Sequence, residues 1–190
     1  QEKADAMARR FDVPGSFHDL DRFLAQPLDV VSICTPPSSH AALIRAALQA
    51  GKHVLVEKPL LFPDPKVATH LRQLASKSHA IWYTSYNHHF EPHLQVVKKL
   101  LDDEFVGTIY RIGLIYGNGT AQNIVGTWRD SGYGVLEDLG CHLVDLVYFL
   151  LGDHDSEFRP WALQRFEVNS YDHCIFSTND NTILIECSWT

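Results

Sequence analysis

Lys58 stands between a carboxylate and a proline in Val54-Leu55-Val56-Glu57-Lys58-Pro59, where a short β-branched run stops on polar residues. Proline disfavours the helical region for the residue before it, so Lys58 is pushed toward an extended backbone and its direction is set. Ligands of open parallel α/β sheets bind just beyond the carboxyl ends of the strands, which places Lys58 where a site would be. An ordinary surface loop is the plain alternative. A second constellation lies on Val135 to Leu151, where Asp138, His142 and Asp145 fall at i, i+4 and i+7. On an ideal helix they lie within roughly 60° of one another. Leu136, Leu139, Leu143, Leu146, Val147 and Leu150 form a separate apolar stripe, and Cys141, Val144, Tyr148 and Phe149 cover the remaining face. Such a helix is buried, and its ionisable groups need partners or a cavity. An aspartate beside a histidine orients the ring and raises its basicity, as a general base near neutral pH requires. A structural Asp–His pair and a metal site built from Asp138, His142 and Asp145 remain open readings. His88, His89 and His93 read as solvated or substrate-facing, because Pro92 interrupts them and Glu91 is their only added ligand.

The elements that must position these residues follow from periodicity and punctuation. Helices are predicted over Glu2 to Phe11, Ala41 to Ala50 with Ser38 or Ser39 as cap and Gly51 as terminator, and Asp64 to Ala75. Strands are predicted over Asp29 to Cys34, Val54 to Val56, and Ala80 to Tyr86. This βαβαβ order implies a parallel sheet with helices on its faces. Its strand ends, Thr35-Pro36-Pro37, Glu57-Lys58-Pro59 and Tyr86-Asn87-His88, then form one row of polar and helix-breaking residues suited to a cofactor crevice. Beyond Asn87 the pattern changes to a helix over Pro92 to Leu101, a strand over Thr108 to Tyr116, a Gly-rich stretch and the Val135 to Leu151 helix. Strands at Trp161 to Val168, His173 to Ser177 and Thr182 to Trp189 follow, the last two joined by Asn179-Asp180-Asn181, which indicates an antiparallel or mixed sheet.

Bulk properties narrow the function classes. At 190 residues and 45% hydrophobic, the chain can bury a real core but is short for two full domains. With 16 basic against 23 acidic residues, a net charge of −7 and no basic cluster, nucleic acid is not expected as a partner. No apolar run approaches the ~20 residues of a membrane span, and Gln1-Glu2-Lys3-Ala4-Asp5 carries no signal-peptide pattern, so a soluble protein is expected. Cys34, Cys141, Cys174 and Cys187 lie in apolar segments without CxxC spacing, which suits reduced core thiols and a cytoplasmic location.

Taken together, Thr35-Pro36-Pro37 with His40, Glu57-Lys58-Pro59, Tyr86-Asn87, Trp128-Arg129, and the run Gly132-Tyr133-Gly134-Val135-Leu136-Glu137-Asp138-Leu139-Gly140-Cys141-His142 with Asp145 resemble the Gfo/Idh/MocA oxidoreductases. That family contains glucose-fructose oxidoreductase and inositol dehydrogenase. The matches run in order from Phe11 to Gly152. The resemblance implies an α/β chain: an incomplete Rossmann-type parallel sheet, then an α+β domain with an open, mostly antiparallel sheet. Residues 1–86 would be a partial dinucleotide-binding domain lacking its first βαβ segment. Residues 87–190 would be a substrate-binding and oligomerisation domain, incomplete at its C-terminus. The implied activity is NAD- or NADP-dependent hydride transfer to or from a hydroxyl or keto carbon of a sugar, cyclitol or nucleotide sugar. Lys58 would contact the reacting hydroxyl and the nicotinamide and stabilise a developing alkoxide, His142 would be the acid/base, and Asp138 would assist it or hold substrate. Thr35, Pro36, His40, Glu57 and Asn87 would line the cofactor, and Trp128 and Arg129 would approach the substrate. No metal is implied, the Lys58-Pro59 bond is a candidate for cis, and a homo-oligomer, dimer or tetramer, would form through the second sheet. Tyr133 stands where the family commonly has a glycine, which would narrow the substrate cleft. No GxGxxG occurs, so the choice between NAD and NADP is not legible. An NAD-dependent glycoside hydrolase and a non-catalytic dinucleotide- or sugar-sensing regulator of the same fold are the rival readings, and retention of Lys58, Asp138 and His142 favours the dehydrogenase.

Overall fold

The computed structural model describes residues 2–60, 64–152 and 157–190, and the chain divides after Ser85 into two compact units. Each has its own sheet and its own core.

In the first unit, β1 (Val30–Ile33), β2 (His53–Val56) and β3 (Trp82–Thr84) pair in parallel in that order. The crossovers are α3 (His40–Gln49) and α4 (Pro65–Ser78), preceded by α1 (Glu2–Arg10) and a short α2 (Leu20–Leu24) that periodicity did not reveal. Val31, Ile33, Val54 and Val56 point to one face and are buried with Ile44, Leu48 and Leu71 from the crossover helices. The other face carries Val30, Leu55 and Tyr83, all exposed, so this parallel sheet is covered by the described helices on one face rather than on both. α4 starts where Asp64 accepts a hydrogen bond from Lys66 N and Pro65 supplies a preset φ. Ser39 occupies the position before α3 without capping it, because its hydroxyl donates to Pro36 O instead. β3 is shorter than the apolar run around it: its register with β2 ends at Thr84.

In the second unit, the strand order is β4-β7-β6-β5, with β4 (Ile112–Gly117), β5 (Phe158–Gln164), β6 (His173–Thr178) and β7 (Ile183–Ser188). β4 and β7 are parallel and the other two pairings antiparallel. β4 begins at Ile112, later than its β-rich sequence suggests, because its partner begins at Ile183. β5 ends at Gln164 because the next amides turn elsewhere: Phe166 N and Glu167 N donate to the buried Asp172 carboxylate, at 2.9 and 2.6 Å to Oδ2. α5 (Pro92–Asp102) and a short α6 (Ala121–Ile124) precede the apolar helix. That helix is not one α-helix over Val135 to Leu151. A π turn, Leu136–Gly140, leads into α7 (Cys141–Leu151). Leu139, Leu143, Leu146 and Val147 share a core with Cys174, Phe176, Ile183, Ile185 and Cys187 of the sheet and with Trp189 just past β7. Gly140 permits that approach, since a Cβ there would lie 2.8 Å from Leu136 Cδ1 and 3.4 Å from Cys187 Sγ.

All four cysteines are free thiols; Cys174 and Cys187 are core residues as expected, whereas Cys34, just past β1, is exposed. Among the described residues no helix is long and apolar enough to cross a membrane.

Candidate active site

At the carboxyl edge of the first sheet, the β1–β2 ladder runs one bond past the strands, with Glu57 N donating to Ile33 O at 2.9 Å. On the other side of β2, Ser85 N donates to Val56 O at 2.8 Å. Lys58 follows immediately, half-buried, and its bond to Pro59 is cis, as the resemblance implies. The neighbouring strand end is braced from within. His40, buried at the start of α3, donates from Nε2 to Thr35 O at 2.8 Å, and the Thr35 and Ser39 hydroxyls are 2.6 Å apart. Thr35, Pro36, His40, Glu57 and Lys58 are therefore gathered at adjacent ends of parallel strands. Asn87, Trp128, Arg129, Asp138 and His142 belong to the second unit.

There, His142 sits on the first turn of α7, only 7% exposed. The His88 ring meets it edge-on at 4.6 Å between centroids, and Tyr86 does so at 5.9 Å. Both approach from the segment after β3, where Asn87 opens a single 3-10 turn, Asn87–Phe90. His88 Nδ1 lies 2.5 Å from Glu91 Oε1, and the other carboxylate oxygen lies 3.0 Å from His93 Nε2.

The expected stripe of Asp138, His142 and Asp145 gives way to three different environments. Asp138 lies in the π turn, where the helical register is interrupted, and its Oδ2 accepts from Trp189 Nε1 at 3.3 Å. Asp145 pairs with His89, 2.5 Å from Nε2 to Oδ2, and that ring stacks on Phe149 at 4.3 Å. Burial pushes the Asp145 carboxyl above its ordinary value, opposed by the charge and hydrogen bonding of His89 and by the charge of His88. Among the described residues, no group of three or more His, Cys, Asp or Glu is arranged to hold a metal.

Trp128 and Arg129 occupy the loop after α6. Trp128 is 58% exposed and the Arg129 guanidinium lies 5.3 Å over its ring. The next residue, which sequence reasoning passed over, ties this loop down. Asp130 accepts from Gly126 N, Asn169 N, Asn169 Nδ2, Ser170 N and Ser170 Oγ at 2.7 to 3.1 Å. Desolvation alone would raise its pKa, but the hydrogen bonds from Ser170, Gly126 and Asn169 hold it at about 2. Tyr133, on the same loop, is exposed. His88, expected to be solvated or substrate-facing, is instead largely enclosed between His142 and Glu91, and its i, i+3 spacing to Glu91 is the signal for that pairing in the sequence.

Known proteins resemble this chain over most of its length. A sequence profile described as "Oxidoreductase family, NAD-binding Rossmann fold" matches residues 1–86, and one described as "GFO/IDH/MocA C-terminal domain" matches residues 94–190. Inositol 2-dehydrogenase of Rhizobium meliloti (strain 1021) is 31% identical over 129 residues, 68% of this chain and 38% of that protein. Levoglucosan dehydrogenase of Pseudarthrobacter phenanthrenivorans is 28% identical over 162 residues, 82% of this chain and 41% of that protein. A solved levoglucosan dehydrogenase, in complex with NADH and levoglucosan, superimposes with a TM-score of 0.86 at 24% identity, covering 99% of this chain and 55% of that one. At that identity the superposition shows a common fold. The chain thus spans less than half the length of these two curated relatives.

Proposed function

The chain belongs to the Gfo/Idh/MocA oxidoreductase family, and from that premise we propose that the protein carrying it is an NAD(P)-dependent dehydrogenase or reductase acting on a secondary hydroxyl or keto group of a sugar, cyclitol or nucleotide sugar. The observation that carries this reading is Lys58 at the carboxyl end of the middle strand of a parallel sheet, where open α/β folds place their ligands. The same edge suits the nicotinamide end of a dinucleotide: Thr35 offers a hydroxyl, Glu57 an exposed carboxylate and Lys58 a cation. Asn87, in the second unit, is assigned to the cofactor by the family resemblance alone. When bound, the nicotinamide accepts or donates the hydride. Lys58 steadies the negative charge that develops on the substrate oxygen, His142 takes or returns the hydroxyl proton, and Asp138 supports His142 or holds substrate. Trp128 and Arg129 supply a flat, cationic surface fitted to a polyol. The relatives named for inositol and levoglucosan support the substrate class. By the same reading the protein is a cytoplasmic homo-oligomer, a dimer or tetramer formed through the second sheet.

The test is a titration with NADH and NADPH while sugars, cyclitols and nucleotide sugars are screened for a change in nicotinamide absorbance. Lys58→Ala is expected to lower turnover by at least about 10²-fold. Unchanged turnover of that variant on a verified substrate would remove Lys58 from the chemistry. Failure to bind either dinucleotide would favour the sugar-sensing regulator.

A further inference from the structure

Oxidation of a secondary alcohol deposits one proton on the base at each turnover, and His142 is nearly enclosed, so that proton needs a route to solvent. The second unit contains a graded series of titratable groups leading away from it. The His142 and His88 rings are in edge-to-face contact, Glu91 binds His88 with one oxygen and His93 with the other, and side-chain exposure rises from 17% at His88 through 33% at Glu91 to 73% at His93. We propose that His88 and Glu91 form a proton relay between His142 and solvent, with His93 as its outer end. The proposal rests on the dehydrogenase reading and assigns positioning and proton-carrying roles to residues that reading leaves idle.

Local structure explains the alignment. The 3-10 turn Asn87–Phe90 directs His88 toward α7, and Glu91 takes an extended backbone, φ −73° and ψ 127°, just before Pro92 starts α5. Glu91 therefore sits between the turn that carries His88 and the helix that carries His93. An imidazole suits the inner position because it receives a proton at one nitrogen and releases one from the other. The remaining titratable neighbours are Tyr86, edge-on to His142, Tyr116, edge-on to His88 at 5.6 Å, and Asp145, which is engaged by His89 beside Phe149 and also feels the His88 charge. The balance is simple. The substrate carbon loses its hydride to the oxidised cofactor and its hydroxyl proton to His142, leaving a ketone. His142 then returns to the neutral form as one proton leaves through His88 and Glu91, and reduction runs the same path inward.

The test follows a single turnover of levoglucosan or inositol with NAD⁺ or NADP⁺ in weakly buffered solution, recording nicotinamide absorbance and a pH indicator together. In the unsubstituted protein, proton release should keep pace with reduction. In His88→Gln and in Glu91→Gln it should lag by at least about tenfold, and added imidazole should restore it, which a merely structural defect would not allow. In the ligand-free protein, nitrogen-labelled histidine spectra should show a hydrogen-bonded His88 ring proton that Glu91→Ala abolishes. Release that stays in step in both variants, or a lag that imidazole does not shorten, overturns the relay. His142→Gln separates the two levels: turnover unaffected by that change overturns the function reading, whereas its loss beside in-step release in His88→Gln overturns the relay alone. Absence of nicotinamide reduction with any polyol removes the function reading and the relay with it.

Discussion

Asp130 shows how one carboxylate can set the shape of a loop that carries two proposed substrate-binding residues. Its folded pKa of about 2 lies below the ordinary 3.8, so the stabilisation it provides is fully present above 3.8 and is lost as the pH falls through about 2. Asp130→Asn is therefore expected to lower the urea midpoint at about pH 5.5 and to differ less from the parent at about pH 3. A difference that does not change with pH would show that the carboxylate's charge is irrelevant to the clamp. Amide exchange should accelerate at Asn169 and Ser170, whose N–H groups lose an anionic acceptor. At this scale the sequence displayed Lys58 and His142 because their neighbours in the chain are unusual. Asp130 was invisible because four of its five donors lie 39 and 40 residues away, whereas Glu91 was visible only as a neighbour of histidines, since its worth depends on two imidazoles converging on it.

The helix that carries Asp138 and His142 was legible as an apolar, buried element, but its irregular first turn was not. Hydrophobic spacing reports which face is buried and is nearly blind to one extra residue in a turn, since the leucines on either side still reach the core. The turn is held from outside: Val135 N donates to Tyr171 O at 2.8 Å, and Gly134, at φ +55°, leaves room for that contact with the loop before β6. A Cβ on Gly134 would lie 2.3 Å from Tyr171 O and 2.7 Å from Ser170 Oγ. Gly134→Ala is accordingly expected to cost about 2–4 kcal/mol in denaturant unfolding, combining a left-handed backbone with a collision against main chain. Gly126→Ala is the control, with φ +71° and no atom within 4 Å of the new Cβ, and should cost only about 1 kcal/mol. Equal losses in the two variants would refute the close approach at Gly134. Strand limits differ from the sequence expectation for a related reason: β4 and β5 start and stop where their partners and Asp172 dictate, not where β propensity begins and ends.

For the chain as a whole, the βαβαβ half was legible because local order and parallel topology are tied together, whereas the order β4-β7-β6-β5 was not. Its parallel pair joins Ile112 to Ile183 across intervening helices and strands, a link that no short-range pattern records. What the structure adds is two separate cores, one closing on Ile44, Leu48, Val54 and Val56, the other on Val147, Ile185, Cys187 and Trp189. Ile44 and Ile185 are both fully buried, so truncating either removes packed methylenes and leaves a void. Ile44→Ala and Ile185→Ala should each cost about 2–5 kcal/mol, and hydrogen exchange can assign the loss. Ile44→Ala should speed exchange at the ladder amides of β1 and β2, including Glu57 N next to Lys58. Ile185→Ala should do so along β6 and β7, including Trp189 N, whose indole holds Asp138. If exchange in β1 and β2 were unchanged by Ile44→Ala while the global midpoint fell, the first core would not be what supports the Lys58 edge, and the placement of that lysine would need another source of rigidity.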